Sequence, residues 1–245
     1  WDIWLMLNLG LLILLVGIPP INAVLITTGG SLIFIAATLL IVQLGKMRAS
    51  ESAVQASHGR KFYIVGLIYL LLGILVGTGL WQGWSAWLQI KVPLEVHIHA
   101  NNWGFMALVF AGLLVDLYPS FAGRSLAWPR SITPIFWMMI LGALGLVLGP
   151  WFQSNLFSVP GLILHLSATI WLLLNVIKPL WGDKVAWSQP GLWHLVTAYF
   201  WILAPVLVAP LKAKAMSSHS LLNSVRHDQS KWIGNPRRKV SRPRP

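Results

Sequence analysis

The sequence contains no cysteine among its 245 residues, and only 10% of its residues are charged. The absence of cysteine excludes a disulfide scaffold, thiol catalysis, cysteine-ligated zinc and iron–sulfur clusters. Ordinary soluble domains carry about a quarter charged residues, so a chain with so few could not cover a water-facing surface. The composition therefore excludes a soluble globular enzyme and a disordered protein.

Apolar side chains are in excess: they make up 56% of the chain, and the mean hydropathy is +0.70. A bilayer core about 30 Å thick needs roughly 20 apolar residues in one helix. The sequence holds seven candidate spans, at residues 3–18, 24–44, 63–82, 95–118, 134–152, 158–180 and 192–211. We therefore predict an all-α, polytopic membrane helix bundle of about seven transmembrane helices over residues 1–211.

The charge is basic and unevenly distributed, with 18 Lys and Arg against 6 Asp and Glu, a formal net charge of +12. Half of the basic residues lie after Leu211, where Asp228 is the only acid. The other half occupies short gaps between apolar runs, so we expect no nucleic-acid partner. Residues 212–245 are predicted to form a basic extramembrane tail that orders on an acidic partner subunit or on anionic lipid headgroups.

The loop charges predict the orientation of the bundle. The loops after the second, fourth and sixth spans carry eight basic residues, whereas the opposite loops carry only Lys91. The positive-inside rule makes the first side cytoplasmic. We expect a multi-pass protein of the bacterial inner (cytoplasmic or intracytoplasmic) membrane.

Two stretches of the sequence match each other. Residues 30–38 align with residues 161–169, and residues 4–10 resemble residues 137–142 after a one-residue gap. This similarity predicts an internal repeat in which spans one and two are a diverged copy of spans five and six. In this register His165 corresponds to Phe34, so packing at that position does not by itself require a histidine.

A polar cluster opens the fourth span, in the run Glu95-Val-His97-Ile-His99-Ala-Asn101-Asn102-Trp103-Gly104-Phe105. At about 100° per residue, His97, Asn101 and Gly104 share one stripe, and His99 points to the opposite side. Ionisable groups inside a membrane are costly and mark functional candidates. Two interpretations stay open: interfacial residues hydrogen-bonded to neighbouring helices, or ligation of a tetrapyrrole or metal by at least one histidine.

Depth in the membrane selects a partner for this cluster. At 1.5 Å per residue, His165 lies roughly 10 Å and His99 roughly 6 Å below the outer surface. The candidate metal ligands are therefore His99 and His165, which could share one cofactor, with His97, Asn101 and Gly104 as further cofactor-binding residues. Asp116, at the inner end of the fourth span, is expected to reach headgroups or Arg124.

The run His97-x-His99-x-Asn101-x-x-Gly104-Phe105, with its long apolar continuation, resembles the second-helix motif of the haem–copper oxidase catalytic-subunit superfamily. It is more closely similar to short bacterial relatives of that subunit, over about residues 95–210. In the superfamily the second-helix histidine ligates a low-spin haem, so the resemblance implies that role for His99 or His97. The chain departs from the superfamily in having about seven helices rather than twelve, no His-His pair and no His-Pro-x-x-x-Tyr run. The resemblance thus implies haem-type ligation without oxygen reduction.

The expected function is that of a non-catalytic accessory integral membrane subunit of a larger energy-transducing complex, respiratory or photosynthetic. Other membrane subunits and lipids are the expected partners, and the membrane histidines make binding of haem or another tetrapyrrole an additional expectation. One alternative is a stand-alone b-type haem electron carrier or haem-based sensor, and a second is a small transporter. The spans contain no paired carboxylates and no nucleophile with a placed base, so independent catalysis is not expected.

Overall fold

Seven helices make up the described part of the chain in the computed structural model, which covers residues 1–50, 58–183 and 187–201. They are α1 (Asp2–Gly17), α2 (Ala23–Ser50), α3 (Arg60–Gln82), α4 (Pro93–Ala122), α5 (Ile132–Phe152), α6 (Asn155–Ile177) and α7 (Pro190–Trp201). Single 3₁₀ turns, Pro129–Ser131 and Lys178–Leu180, precede α5 and follow α6. The described residues contain no strand, and the predicted all-α class is confirmed.

Five of these helices, α2 to α6, are long and apolar enough to cross a membrane. The first predicted span is the 16-residue helix α1, and the last is described only as far as Trp201. The protein is therefore a multi-pass membrane helix bundle. The basic tail at residues 212–245 and its predicted boundary lie outside the described residues.

Helix α4 is central to the bundle, because it packs against α3, α5 and α7. It starts at Pro93, where the missing proline N–H costs no helical hydrogen bond. It then passes from an α-helical turn, Pro93–His99, through a π-helical stretch, Ala100–Met106, to the α-helical segment Ala107–Ala122. π-Helical stretches are rare and occur often at functional sites. This one lies inside the polar cluster predicted from the sequence.

The hairpins α1–α2 and α5–α6 are held together by glycines on facing helices. A Cβ on Gly29 would lie 2.8 Å from the carbonyl oxygen of Gly10, and a Cβ on Gly161 would lie 2.8 Å from that of Gly142. Lipid tails are as apolar as leucine, so helix association in a membrane relies on close packing at small residues. Glycine at these positions lets the two backbones touch.

The two hairpins are copies of each other at an offset of 132 residues. Gly10 and Gly29 on the first hairpin occupy the positions of Gly142 and Gly161 on the second. The turns also correspond, since Ile21 and Gln153 have φ angles of 53° and 54°. The structure therefore supports the predicted repeat of helix pairs.

The register of the repeat predicted from the sequence was wrong by one residue. Gly161 corresponds to Gly29 rather than to Gly30, and His165 corresponds to Ile33 rather than to Phe34. Gly29 and Gly30 are adjacent, so either one can be aligned with Gly161, and the apolar residues around them match almost equally well in both alignments. Contact with the facing helix distinguishes them, because Gly29 faces α1 whereas Gly30 faces Thr78 of α3.

We expect Gly29→Ala and Gly161→Ala each to lower the free energy of unfolding by about 1–3 kcal/mol, because the added methyl group meets rigid backbone. Denaturant titration of the protein in detergent measures this change. Gly45→Ala is the matched control, since a Cβ there meets nothing within 4 Å. Equal stability of all three variants would contradict the proposed packing.

Candidate functional site

His97 lies in the first turns of α4 and faces α3. Its Nδ1 lies 2.7 Å from the carbonyl oxygen of Gly73. A carbonyl oxygen only accepts, so Nδ1 carries the proton and Nε2 keeps the lone pair in the neutral ring. The ring rests on Gly77, where a Cβ would lie 2.5 Å from His97 Nδ1. Gly77 of α3 thus makes the space that this imidazole occupies, and Gly73 supplies the carbonyl oxygen that holds it.

Asn101 and Gly104 face the same helix as His97. The Asn101 Nδ2 donates to the His97 carbonyl oxygen at 2.9 Å and lies 3.3 Å from His97 Nδ1. The Tyr69 ring packs directly on Gly104, and its hydroxyl donates to the carbonyl oxygen of Ile140 on α5 at 2.9 Å. The predicted stripe is therefore present, and α3 is the helix that it contacts.

His99 points to the opposite side of α4, as its position in the sequence predicts. Its Nδ1 lies 2.7 Å from the carbonyl oxygen of Leu146 on α5. The repeat gives this contact a counterpart. Leu146 corresponds to Leu14 at the offset of 132 residues, and Leu14 lines the same cavity as His97. His99 thus contacts the second hairpin, and His97 shares a cavity with the equivalent leucine of the first.

His165 on α6 is fully buried, with 0% of its surface exposed. Its Nδ1 lies 3.2 Å from the carbonyl oxygen of Met139 on α5. The Trp103 ring meets the imidazole edge-on, with 5.2 Å between the ring centroids. Within the described residues, the buried Nε2 of His165 has no hydrogen-bond partner. A buried polar atom without a partner is uncommon in folded proteins.

His99 and His165, the pair predicted to share a cofactor, contact α5 at different levels. Their acceptors, Leu146 and Met139, are seven residues apart, which is about 10 Å along the helix axis. Both acceptors lie on one face of α5, because seven residues are close to two turns. Joint ligation of one ion by these two histidines stays a prediction.

A cavity of about 300 Å³ lies where α1, α2, α3 and the start of α4 meet. Its lining is apolar apart from a few groups and includes Leu14, Ile26, Ile74, Trp81, Leu94 and His97. Cavities that bind small molecules and cofactors have about this size or more, and are mostly apolar with a few placed polar groups. His97 is the histidine of this lining.

The donor set fits a haem better than a bare metal ion. Within the described ranges, no group of three or more histidine or acidic side chains is placed to hold a metal ion. A haem brings its own four nitrogens to the iron and needs one or two protein ligands, commonly histidine. Metal-binding histidines usually donate the other ring N–H to a carbonyl or carboxylate. His97 meets this requirement through Gly73 and lies beside an apolar cavity.

Two polar contacts near the C-terminal ends of α4 and α6 were not predicted from the sequence. Asp116 accepts the Gly59 N–H at 2.9 Å and the Tyr63 hydroxyl at 3.1 Å, so it fixes the start of α3 to α4. Arg124, one of its two expected partners, pairs with Asp183. The expectation that Asp116 reaches headgroups or Arg124 missed these contacts, because both partners lie more than 50 positions away in the sequence.

The second contact centres on Asn175 of α6, which is 0% exposed. Its Oδ1 accepts the Trp128 N–H at 2.7 Å, and its Nδ2 donates to the Ser131 hydroxyl at 2.8 Å. This amide fastens the α4–α5 connection to α6. A single asparagine in an apolar run was the only signal for it in the sequence.

We expect Asp116→Leu to lower the free energy of unfolding by about 1–3 kcal/mol, because it leaves the Gly59 N–H without its acceptor. Tyr63→Phe removes one of the same bonds and should cost about 0.5–1.5 kcal/mol. Denaturant titration of the two single variants and the double variant measures their coupling. Asp2→Asn, at the exposed start of α1, is the control. Strictly additive losses would show that the two side chains do not interact.

No protein-family model, no curated protein and no solved structure matches this chain. The resemblance of the His-x-His-x-Asn motif to haem–copper oxidase relatives stays an expectation from the sequence.

Proposed function

We propose that the protein is a membrane-embedded accessory subunit of a larger respiratory or photosynthetic complex, and that it holds a haem-type tetrapyrrole on His97 without independent turnover. The observation that carries the proposal is the setting of His97. Its Nδ1 is held by the Gly73 carbonyl, and its ring borders an apolar cavity between helices. The choice of a tetrapyrrole as the ligand rests on this setting of His97 together with the resemblance of the His-x-His-x-Asn motif to haem–copper oxidase relatives.

Among the three membrane histidines, His97 is favoured over the two ligands predicted from the sequence. His165 is fully buried and its ring meets Trp103 edge-on, so a flat macrocycle would have to displace packed side chains to reach its Nε2. His99 makes the same kind of carbonyl contact, to Leu146 on α5, so the difference is that His97 also lines the cavity between the helices. His97 combines a fixed tautomer with adjacent space.

A bound haem would supply one-electron chemistry at its iron. The chain itself binds, orients and excludes water. His97 would hold the haem iron through Nε2, and the Gly73 carbonyl would keep the ring in the tautomer that leaves this nitrogen free. Gly77 leaves room for the imidazole, and the apolar lining, with Leu14, Ile26 and Ile74, keeps the site dry.

The accessory role is supported by the distribution of polar groups. In the part of the chain that the structure describes, the helices carry no cluster of three or more histidine or acidic side chains that could hold a catalytic metal ion. Among the described residues the connections within the helix pairs are short, such as residues 18–22 between α1 and α2. A stand-alone b-type haem carrier would use the same histidine and differs only in lacking partner subunits.

The experiment records reduced-minus-oxidised absorption spectra of the protein purified from haem-replete membranes. We expect Soret and α bands in the unmodified protein, loss of most of the signal in His97→Ala, and retention in His99→Ala and His165→Ala. Gly77→Ala should lower haem content several-fold because its methyl group displaces the imidazole. His194→Ala, on the exposed side of α7, is the control.

Equal bands in all three histidine variants would overturn ligation by these residues. Loss of the bands in His99→Ala with their retention in His97→Ala would contradict ligation by His97 and would assign the ligand role to His99, on the side of α4 that faces α5. Absence of bands in the unmodified protein would remove the tetrapyrrole from the proposal. The accessory role is tested separately, by native electrophoresis of gently solubilised membranes, where a subunit of a complex migrates far above its 27.2 kDa mass.

A further inference from the structure

A groove of about 530 Å³ lies at the C-terminal end of α6, beside the connection between α4 and α5. Two apolar side chains, two indoles and one ammonium line it, from Leu174, Ile177, Trp128, Trp181 and Lys178. Leu174, Lys178 and Trp181 follow one another at spacings of four and three residues, so they share one face of α6 and of the turn that continues it. We call this feature the Lys178 groove.

The Trp128 wall of the groove is fixed to α6 by a buried asparagine. The Asn175 Oδ1 accepts the Trp128 N–H at 2.7 Å, and the Asn175 carbonyl oxygen accepts the Ala127 N–H at 3.0 Å. Asn175 itself is fully buried. These bonds hold the connection between α4 and α5 against α6, so the groove is a built feature of the bundle.

Lys178 gives the groove a positive charge. Its Nζ lies 4.3 Å from the centroid of the Trp128 ring, a cation–π contact that keeps the ammonium at the groove. An ammonium has three N–H donors, and no acidic side chain in the part of the chain that the structure describes pairs with this one. The crevice at the C-terminal end of α4 differs in this respect, because its cation, Arg124, pairs with Asp183.

The groove lies at the end of a membrane-spanning helix. Leu174 and Ile177 belong to the last turn of α6, and Lys178 and Trp181 follow directly. Trp128 and Trp181 are 40% and 85% exposed. Tryptophan and lysine at the ends of spans are typical of the membrane interface, where their apolar parts contact acyl chains and their polar tips face headgroups. The groove therefore combines an apolar channel with a cation at the depth of lipid phosphates.

We infer that the Lys178 groove binds an anionic phospholipid, with the phosphate on the Lys178 ammonium and one acyl chain along Leu174 and Ile177. A zwitterionic lipid brings a cation to the same place, so Coulomb attraction favours a lipid with net negative charge. Basic pockets between transmembrane helices bind anionic headgroups in this way. Inorganic phosphate or an acidic side chain of a partner subunit would satisfy the ammonium, but would leave the apolar channel empty.

Photo-crosslinking locates the lipid. The full chain is reconstituted in phosphatidylcholine vesicles that contain a small fraction of phosphatidylglycerol or, in parallel, of phosphatidylcholine with a diazirine on one acyl chain, and labelled peptides are identified by mass spectrometry. We expect the phosphatidylglycerol probe to label residues 174–181 about five-fold more than the phosphatidylcholine probe, which corresponds to about 1 kcal/mol for one basic residue at a membrane surface. Mapping by peptide separates this site from the basic residues 212–245.

Variants separate the phosphate contact from the apolar channel. Lys178→Gln should abolish the preference for phosphatidylglycerol, whereas Lys178→Arg should keep it. Lys46→Gln is the matched control, because Lys46 is also exposed near the end of a spanning helix and does not line the groove. Trp181→Ala should lower labelling by both probes, since it removes one wall. Equal labelling by the two probes, or a preference that survives Lys178→Gln, would overturn the inference.

Two further arms distinguish the other occupants. Inorganic phosphate added as a competitor should leave the labelling unchanged, and loss of the preference in its presence would show that the groove binds phosphate rather than lipid. Vesicles fused with native membranes should give the same labelling as reconstituted vesicles. Protection of residues 174–181 in the native membranes alone would assign the groove to a partner subunit and overturn the lipid site. None of these results depends on haem content, so they test the groove separately from the proposed function.

Discussion

Backbone contact at glycines is the constraint on which the other features of this bundle depend. Helices in lipid gain little from burying apolar surface, so their association needs shape complementarity. Gly29 on α2 and Gly161 on α6 let each hairpin close to backbone contact. On α3, Gly73 and Gly77 then leave space for the Asn101 amide and the His97 ring. Gly104 lies on α4 itself, and its missing side chain leaves space for Tyr69 of α3. The Tyr69 hydroxyl can therefore pass α4 and donate to a carbonyl oxygen of α5. The positions without side chains decide where the polar side chains lie.

Helix carbonyls are the partners of every histidine in the bundle interior that the structure describes. His97, His99 and His165 each direct Nδ1 at a carbonyl oxygen of a neighbouring helix. Such an oxygen already accepts one bond within its helix and has a second lone pair for this use. The arrangement sets the tautomer of each ring and links neighbouring helices without any buried charge. It costs little in lipid, since both partners are neutral.

The sequence predicted the features that depend on local pattern. Apolar length was enough to find the helices, and the 100° rule put His97 and Asn101 on one side of α4 and His99 on the other. What it missed depends on contacts between distant segments. The repeat register was wrong because Gly29 and Gly30 are equivalent in an apolar run until a facing helix distinguishes them. The partners of Asp116 and the setting of His97 beside a cavity follow from tertiary packing alone, which periodicity does not contain.

The π-helical stretch Ala100–Met106 divides α4 into two separately phased halves. The N-terminal half carries both histidines, and the C-terminal half carries Asp116 and the residues that pack on α7. A π turn accommodates one more residue than an α turn, so loss of one residue there would rotate one half against the other by about 100°. A single insertion or deletion there would therefore re-orient both imidazoles while the Asp116 contacts of the C-terminal half stay in place. The number of residues in this stretch, rather than the chemistry of their side chains, therefore sets the direction in which each histidine of α4 points.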